Sequence, residues 1–420
     1  MKITIIGSGL LGLSTGYHLA QEGHQITIVE RRKDSALETS FANGGLLTPS
    51  LCEPWNAPGV LFDLLKWIGR EDAPLLLRPK ALPSLFLWGL SFLRSSTRSR
   101  YEENIFRNFR LAKYNLAVLE EMASNIPLSE LGGGAGVGTI KLCRQMEELD
   151  EVHKMAEFLS PENICFKTLD KNEIFALEPA LKPLGDKVAG GSYFPEDRFG
   201  DAHQFCAELT KYLINNGVQF LFNTNVINMK KKGDHVCEID TEQGSLSADT
   251  FIIAAGSYST IIADTVGVKI PVKPCKGYSL TLEPDGWTGA PKIPVIDQSL
   301  HAAVTPLGPK IRVAGTAEFT GYDVSLHEDR LQNLYNLLGS IFPESRPYIN
   351  HETTKKWSGL RPVSASGVPI ISQTEIKNLY LNTGHGQIGW TTAAASGKAL
   401  SDLICQKEAG INISDYSLPK

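Results

Sequence analysis

The chain lacks the patterns of a metalloprotein, a disulfide-stapled secreted domain or a covalent-nucleophile enzyme. Its seven cysteines (Cys52, Cys143, Cys165, Cys206, Cys237, Cys275 and Cys405) are odd in number, and none forms a Cys-x-x-Cys pair. That spacing offers neither a zinc site nor a disulfide framework, and it points to a reducing compartment. Nine histidines include no His-Glu-x-x-His, so no metal is expected. No Ser/His or Cys/His signature stands out. A basic excess is also missing: the formal net charge is -5, which argues against nucleic acid as the partner. The uncharged run Ala81–Leu93 is too short to cross a bilayer. The apolar N-terminus is interrupted by glycines and leads into a second strand, so it does not read as a cleaved signal. What remains is 420 residues, 42% hydrophobic and 21% charged. That composition supports a full core in two domains or one composite one.

The first thirty residues carry the strongest signal. Lys2–Ile6 is a β-branched strand, Gly7-Ser8-Gly9-Leu10-Leu11-Gly12 follows directly, and a helix runs on to Gly23. A second strand, Ile26–Val29, ends on Glu30 and Arg31. Strand, glycine turn, helix, strand and acidic residue together form the dinucleotide fingerprint. Gly7 permits the turn, Gly9 lets backbone N–H groups approach a pyrophosphate, and Gly12 lets the helix pack close. The helix N-terminus faces the phosphates. Glu30 accepts ribose hydroxyls and disfavours a 2′-phosphate.

Further candidates follow along the chain. Ser40, Asn43, Gly44, Gly45 and Leu46 form a small-residue loop able to direct N–H groups at a cofactor. Residues 101–125 are periodic and read as a helix. Leu131–Gly136 is a glycine-rich break. Strands are expected at 138–142, 218–222 and 236–240, and helices at 146–159 and 205–215; Tyr193–Asp197 reads as a crossing between domains. Phe251–Ile253 is a buried strand ending on Ala255 and Gly256, small enough for close approach. Strands at 276–282, 301–305 and 310–314 belong to a second sheet. A last strand, 378–382, leads into Gly384-His385-Gly386-Gln387-Ile388-Gly389-Trp390-Thr391. The helix beyond it offers a positive N-terminal end to an anion.

Residues 59–100 crowd apolar side chains between Arg70, Arg78, Lys80, Arg94, Arg98 and Arg100, with Trp67 and Trp88 inside. Basic flanks plus tryptophans suit a helical patch lying on anionic lipid. A buried helical insertion is the plainer alternative.

Taken together, these segments resemble the D-amino-acid oxidase superfamily of FAD-dependent amine and amino-acid oxidoreductases, and within it the small-subunit type of bacterial D-amino acid dehydrogenase. The residues that carry the resemblance are IIGSGLLGLSTGYHLAQEGHQITIVE, ETSFANGG, WNAPGV, AAGSYST, KGYSL, WSGLRPVSASGVPIIS and NLYLNTGHGQIGWT, which span the chain. It implies an α/β (α+β composite) fold: a two-dinucleotide-binding FAD domain with a discontinuous mixed-sheet substrate domain. The expected boundaries are 1–58, 101–133, 200–268 and 355–420 for FAD, 134–199 and 269–354 for substrate, and 59–100 as the apolar insertion. It also implies noncovalent FAD held by the residues above, together with Val226. Arg361 in the GLRP motif takes the family's carboxylate-binding position, and guanidinium geometry is bidentate for carboxylates. Tyr278, Gln387 and His301 complete the expected substrate contacts. No catalytic side chain or metal is expected, because the chemistry is flavin-centred: hydride passes from Cα to flavin N5, and the imino acid hydrolyses to a 2-oxo acid and ammonia. The expected partners are an amino acid substrate, a quinone or other electron acceptor, and a peripheral membrane contact, on the cytoplasmic side of the bacterial inner membrane or in the cytoplasm. The rivals are glycine, sarcosine, proline or hydroxyproline oxidation on the same fold, an NAD-dependent dehydrogenase, and a non-catalytic flavin-binding subunit.

Overall fold

The computed structural model describes residues 1–62, 73, 75–127 and 138–419. Two sheets organise it. The first has six strands, among them β1 (Lys2–Ile6), β2 (Gln25–Val29), β9 (Gln219–Leu221), β13 (Thr250–Ile253), β19 (Ile370–Gln373) and β20 (Leu379–Thr383), in the order β19-β20-β13-β1-β2-β9. β1 pairs parallel with both β2 and β13. These strands read as largely apolar runs because both faces of the parallel core are covered, Ile5, Ile28 and Ile252 by helices and Val29, Phe251 and Ile253 by Met229, Val236 and Ile239.

Helix α1 (Leu10–Gln21) packs on this sheet beside α9 (Gly389–Ile404). Small residues set how close the two helices come. A Cβ at Gly397 would sit 2.6 Å from the Ser14 carbonyl carbon. A Cβ at Gly12 would sit 1.9 Å from the Gly7 carbonyl oxygen. Gly7 combines a φ of 107° with a Cβ position 2.6 Å from the Ala254 carbonyl oxygen, so turn and strand contact both demand glycine. Helices α3 (Arg98–Met122) and α6 (Ala202–Asn215) complete this core.

The second sheet is mixed and nine-stranded. Its main path runs β18 (Lys355–Ser364), β14 (Val272–Leu282), β17 (Lys310–Phe319), β16 (Ala302–Leu307), β15 (Val295–Asp297), β5 (Thr139–Cys143), β7 (Gly190–Phe194) and β6 (Lys167–Leu169). β4 (Leu75–Leu77) pairs parallel with β17 off that path. Helix α8 (Glu328–Ile341) packs against its back, over Leu331, Leu334 and Leu338. A three-stranded sheet of β10 (Val226–Lys232), β11 (His235–Thr241) and β12 (Gly244–Leu246) packs Met229, Val236 and Ile239 on the face of the six-stranded sheet away from α1, and β3 (Leu46–Leu47) pairs with β8 (Arg198–Phe199).

Several expectations shift. Residues 190–194 form a strand of the nine-stranded sheet, and the crossing follows them at β8. Residues 59–100 are not helical throughout, since β4 joins the nine-stranded sheet. α2 (Leu82–Ser95) is the expected apolar helix, but its tryptophan does not sit at an interface. Trp88 is buried, donates its indole N–H to the Val363 carbonyl at 3.2 Å, and stacks on Phe92. Trp67, Arg70 and the Leu131–Gly136 break lie outside the described residues.

The helix crossing yields a stability prediction. Gly397→Val is expected to cost on the order of 3 kcal/mol or more. That would appear as a fall in Tm of roughly 3–4 °C or more, or as loss of soluble protein. An unchanged melting curve would contradict the close approach of α1 and α9.

Candidate functional site

A cavity of about 1240 Å³ runs from the glycine turn after β1 to the face of the nine-stranded sheet. It exceeds the usual range for one small ligand, roughly 300–1,000 Å³, and has room for an extended cofactor and a small substrate together. Of the expected cofactor residues it brings together Gly7, Gly9, Leu10, Leu11, Glu30, Arg31, Ser40, Asn43, Gly44, Gly45, Leu46, Val226, Ala255, Gly256 and the run Gly386–Thr391. Ser8, Gly12 and Gly384 do not line it. Ser8 instead donates from both its backbone N–H and its hydroxyl to Glu30 Oε2, each at 2.9 Å. Gly12 faces the Gly7 carbonyl, and Gly384 (φ 81°) fits between Ser364 and Val272.

The donors at this end are left open by construction. Gly9 caps α1 with no side-chain hydrogen bond, and within the first turn of the helix the Leu10 N–H donates to Ser40 Oγ at 3.2 Å. Glu30 is oriented by Ser8 and by the Arg32 N–H at 2.8 Å. The Arg31 guanidinium stacks 3.6 Å over the Tyr258 ring and pairs with Glu38.

The loop at 42–45 is held from the other sheet. Ser279 Oγ donates to the Ala42 carbonyl at 2.6 Å, Arg312 Nη1 to Asn43 at 2.8 Å, and Thr305 Oγ1 to Gly44 at 2.7 Å. The Gly200 N–H takes the Gly45 carbonyl at 2.9 Å. With four successive carbonyls tied back, the loop is fixed beside the cavity as a row of small residues. Across from it, α9 begins at Gly389 without a side-chain cap and without an acidic residue in its first turn, so its dipole presents positive potential to the cavity. These two features fit an extended, anionic dinucleotide cofactor with a polar ring system.

On the sheet face lies Arg361. Its β18 strand pairs in antiparallel register with β14, Cys275 opposite Arg361 and Gly277 opposite Gly359. The guanidinium lies across Gly277, where a Cβ would come within 2.2 Å of Nη1. Arg361 Nη1 donates to the Thr316 carbonyl at 3.2 Å, and the Trp55 ring centroid is 5.8 Å from Cζ. Thr316 is the extra residue of a bulge, since β17 slips register against β14 between Gly277 and Tyr278. It holds a φ of 58°. Such bulges re-aim groups beside functional sites. Among the described residues Arg361 has no carboxylate partner. Desolvation lowers its pKa, but a guanidinium remains charged at neutral pH.

The other expected substrate residues divide. Tyr278 lines the cavity, but its hydroxyl is committed to Glu318 at 2.8 Å. A free-donor role for that hydroxyl is therefore replaced by a packed wall. Burial raises the pKa of Tyr278. Burial would raise Glu318 too, but Arg78, Tyr278 and Lys276 outweigh it and hold the carboxyl below its usual range. Gln387 donates to the Glu53 carbonyl at 2.9 Å, and His301 sits at the rim with a φ of 48°. His385 is buried against Ser396 Oγ at 2.9 Å, and burial pushes its pKa down to about 3. It is thus neutral at physiological pH. Trp55 and Thr316 contact Arg361, and Ser279, Thr305 and Arg312 brace the 42–45 loop, contacts that the residue patterns did not announce.

The family model for the FAD dependent oxidoreductases (DAO) matches residues 2–403. The D-amino acid dehydrogenase of Bradyrhizobium diazoefficiens is 37% identical over 420 residues, covering 100% of this chain and 99% of the relative. That of Rhizobium rhizogenes is 37% identical, covering 100% of both. Glycine oxidase from Geobacillus kaustophilus shares the fold at a TM-score of 0.77 and 20% identity, with 100% of this chain and 98% of that one covered. L-proline dehydrogenase from P. horikoshii does so at 0.75 and 17%, with 99% and 96% covered. With its glycine turn, its carbonyl-tied loop and its family match over nearly the whole length, the chain belongs to the DAO family of FAD-dependent oxidoreductases.

Proposed function

We propose that the chain is a D-amino acid dehydrogenase that binds FAD noncovalently. The full-length relatives bearing that name support the substrate class. The observation that carries the reading is Arg361: a half-buried guanidinium on the cavity face with no carboxylate partner among the described residues. Leaving such a charge unmatched is costly, and a substrate carboxylate offsets the cost through a bidentate, charge-assisted contact. Thr316 fixes the guanidinium plane, Gly277 gives it room and Trp55 covers it. Bound FAD supplies the two-electron acceptor. The glycine turn, the loop at 42–46 and the start of α9 would hold it. The Cα–H bond of the substrate breaks, and water converts the imino acid to a 2-oxo acid and ammonia.

The electrons are passed to a membrane quinone, with the protein seated peripherally on the cytoplasmic face of the bacterial inner membrane. No helix among the described residues is long and apolar enough to cross a membrane. α2 nonetheless exposes Phe86 (67%), Leu87 (76%) and Leu90 (42%). Lys80 and Arg94 flank them. That pairing suits an interfacial helix on anionic lipid.

Three outcomes test the reading. Gly9→Val is expected to fold, because Gly9 has an ordinary φ of -78° and a Cβ there meets only Ser40 Oγ at 3.3 Å. It should purify colourless, with the side chain in the pyrophosphate's space; a normally yellow variant would remove Gly9 from the cofactor path. Arg361→Ala is expected to keep its FAD and lose roughly 30- to 1000-fold in apparent substrate affinity, about 2–4 kcal/mol. Wild-type kinetics there would move the carboxylate clamp elsewhere. Finally, polar replacements of Phe86, Leu87 and Leu90 should release the protein from anionic vesicles and slow quinone reduction, with soluble-dye turnover kept. Failure of the unaltered protein to sediment with such vesicles would remove the membrane contact.

A further inference from the structure

The cavity does not end at Arg361. Its far arm is closed by two ionisable side chains that carboxylate binding leaves unused. Lys141 on β5 is 3% exposed and donates to the Ser50 carbonyl at 2.6 Å. Its ammonium lies 3.5 Å from Glu53 Oε1 and 5.2 Å over the Phe194 ring. Glu53 Oε2 is buried and accepts no hydrogen bond among the described residues. The rest of the Glu53 side chain is 23% exposed on the cavity wall, so its carboxylate keeps acceptor capacity that Lys141 does not use. Glu53 is also tied to the substrate end. Its carbonyl accepts from Gln387, and two residues on, at most about 7 Å along the chain, Trp55 covers Arg361.

The charge at this arm favours a cation. Asp297 is neutralised by Arg144 at 2.8 Å, and Glu148 accepts from Ser299 Oγ and the Arg144 N–H. That leaves Glu53, Glu148 and the exposed Glu151 on the cavity wall, with the buried Asp197 behind, against the single charge of Lys141. Leu51, Val152 and Met155 add apolar wall to the cavity. It suits the methylene stem of a long basic side chain.

We propose that Glu53, oriented by Lys141, is a specificity residue that selects D-amino acids whose side chain ends in a cation. This rests on the oxidative deamination reading. An α-carboxylate on Arg361 and a distal ammonium or guanidinium on the Glu53 carboxylate would hold one substrate at both ends of the cavity.

The test compares D-lysine with D-norleucine, which share a carbon chain and differ by the terminal amine, on FAD-loaded protein with a soluble dye. The unaltered protein is expected to favour D-lysine at least tenfold in kcat/KM. Glu53→Gln should cut that ratio at least tenfold, whereas a merely structural role would slow both substrates alike. If Glu53→Gln fails to fold around an unmatched Lys141, the double variant Glu53→Gln/Lys141→Met removes both charges and must show the same loss of ratio. Turnover of D-amino acids with no preference for D-lysine, or a ratio indifferent to Glu53, overturns the inference and leaves deamination standing. Failure of every D-amino acid to reduce the flavin overturns the deamination reading itself.

Discussion

The arrangement of the site depends on one guanidinium laid flat over one glycine. Arg361 crosses Gly277 with no space for a Cβ between them. The strands beneath must therefore present a side-chain-free patch, and β17 must bulge at Thr316 to turn a carbonyl toward the cation. A positive φ at a threonine costs of order 1–3 kcal/mol. It persists because three neighbouring strands fix the register on either side. The result is a charge that the fold orients and leaves available.

The cofactor end obeys a related constraint from the opposite sheet. The fingerprint glycines belong to the six-stranded sheet, but the loop at 42–45 is anchored by Ser279, Thr305 and Arg312 of the nine-stranded one. The two sheets thus meet through tied-back carbonyls. This couples the cofactor to the substrate face, so positioning one positions the other. Glu318 plays a comparable part behind the site. It gathers Arg78, Tyr278 and Lys276 into one buried network and so fixes the wall next to Arg361.

The sequence made the first thirty residues legible because strand, turn, helix and strand are contiguous there and each glycine has a local reason. The small-residue loop on its own reads as a plain loop, and only the resemblance set it beside the cofactor. Arg361 was not readable from spacing; it came from resemblance, since its partners lie on other strands. Local pattern also could not show the bulge at Thr316, because a bulge is a property of two paired strands. The side chains that tie the 42–45 loop lie more than 230 residues away in the chain. The apolar run at 75–77 gave no period to separate strand from helix. Trp88, read as an interface anchor, packs inward because its indole N–H finds the Val363 carbonyl.

Recognition of a carboxylate by Arg361 is the claim on which the functional account turns. The most direct measurement is anaerobic bleaching of the bound flavin by D-alanine against D-alaninamide, which removes the carboxylate charge and keeps the reacting Cα–H and amine. The account predicts bleaching by D-alanine, with the amide weaker by roughly a hundredfold or more in apparent affinity, as loss of a charge-assisted bidentate contact requires. Equal bleaching by the two compounds would contradict it.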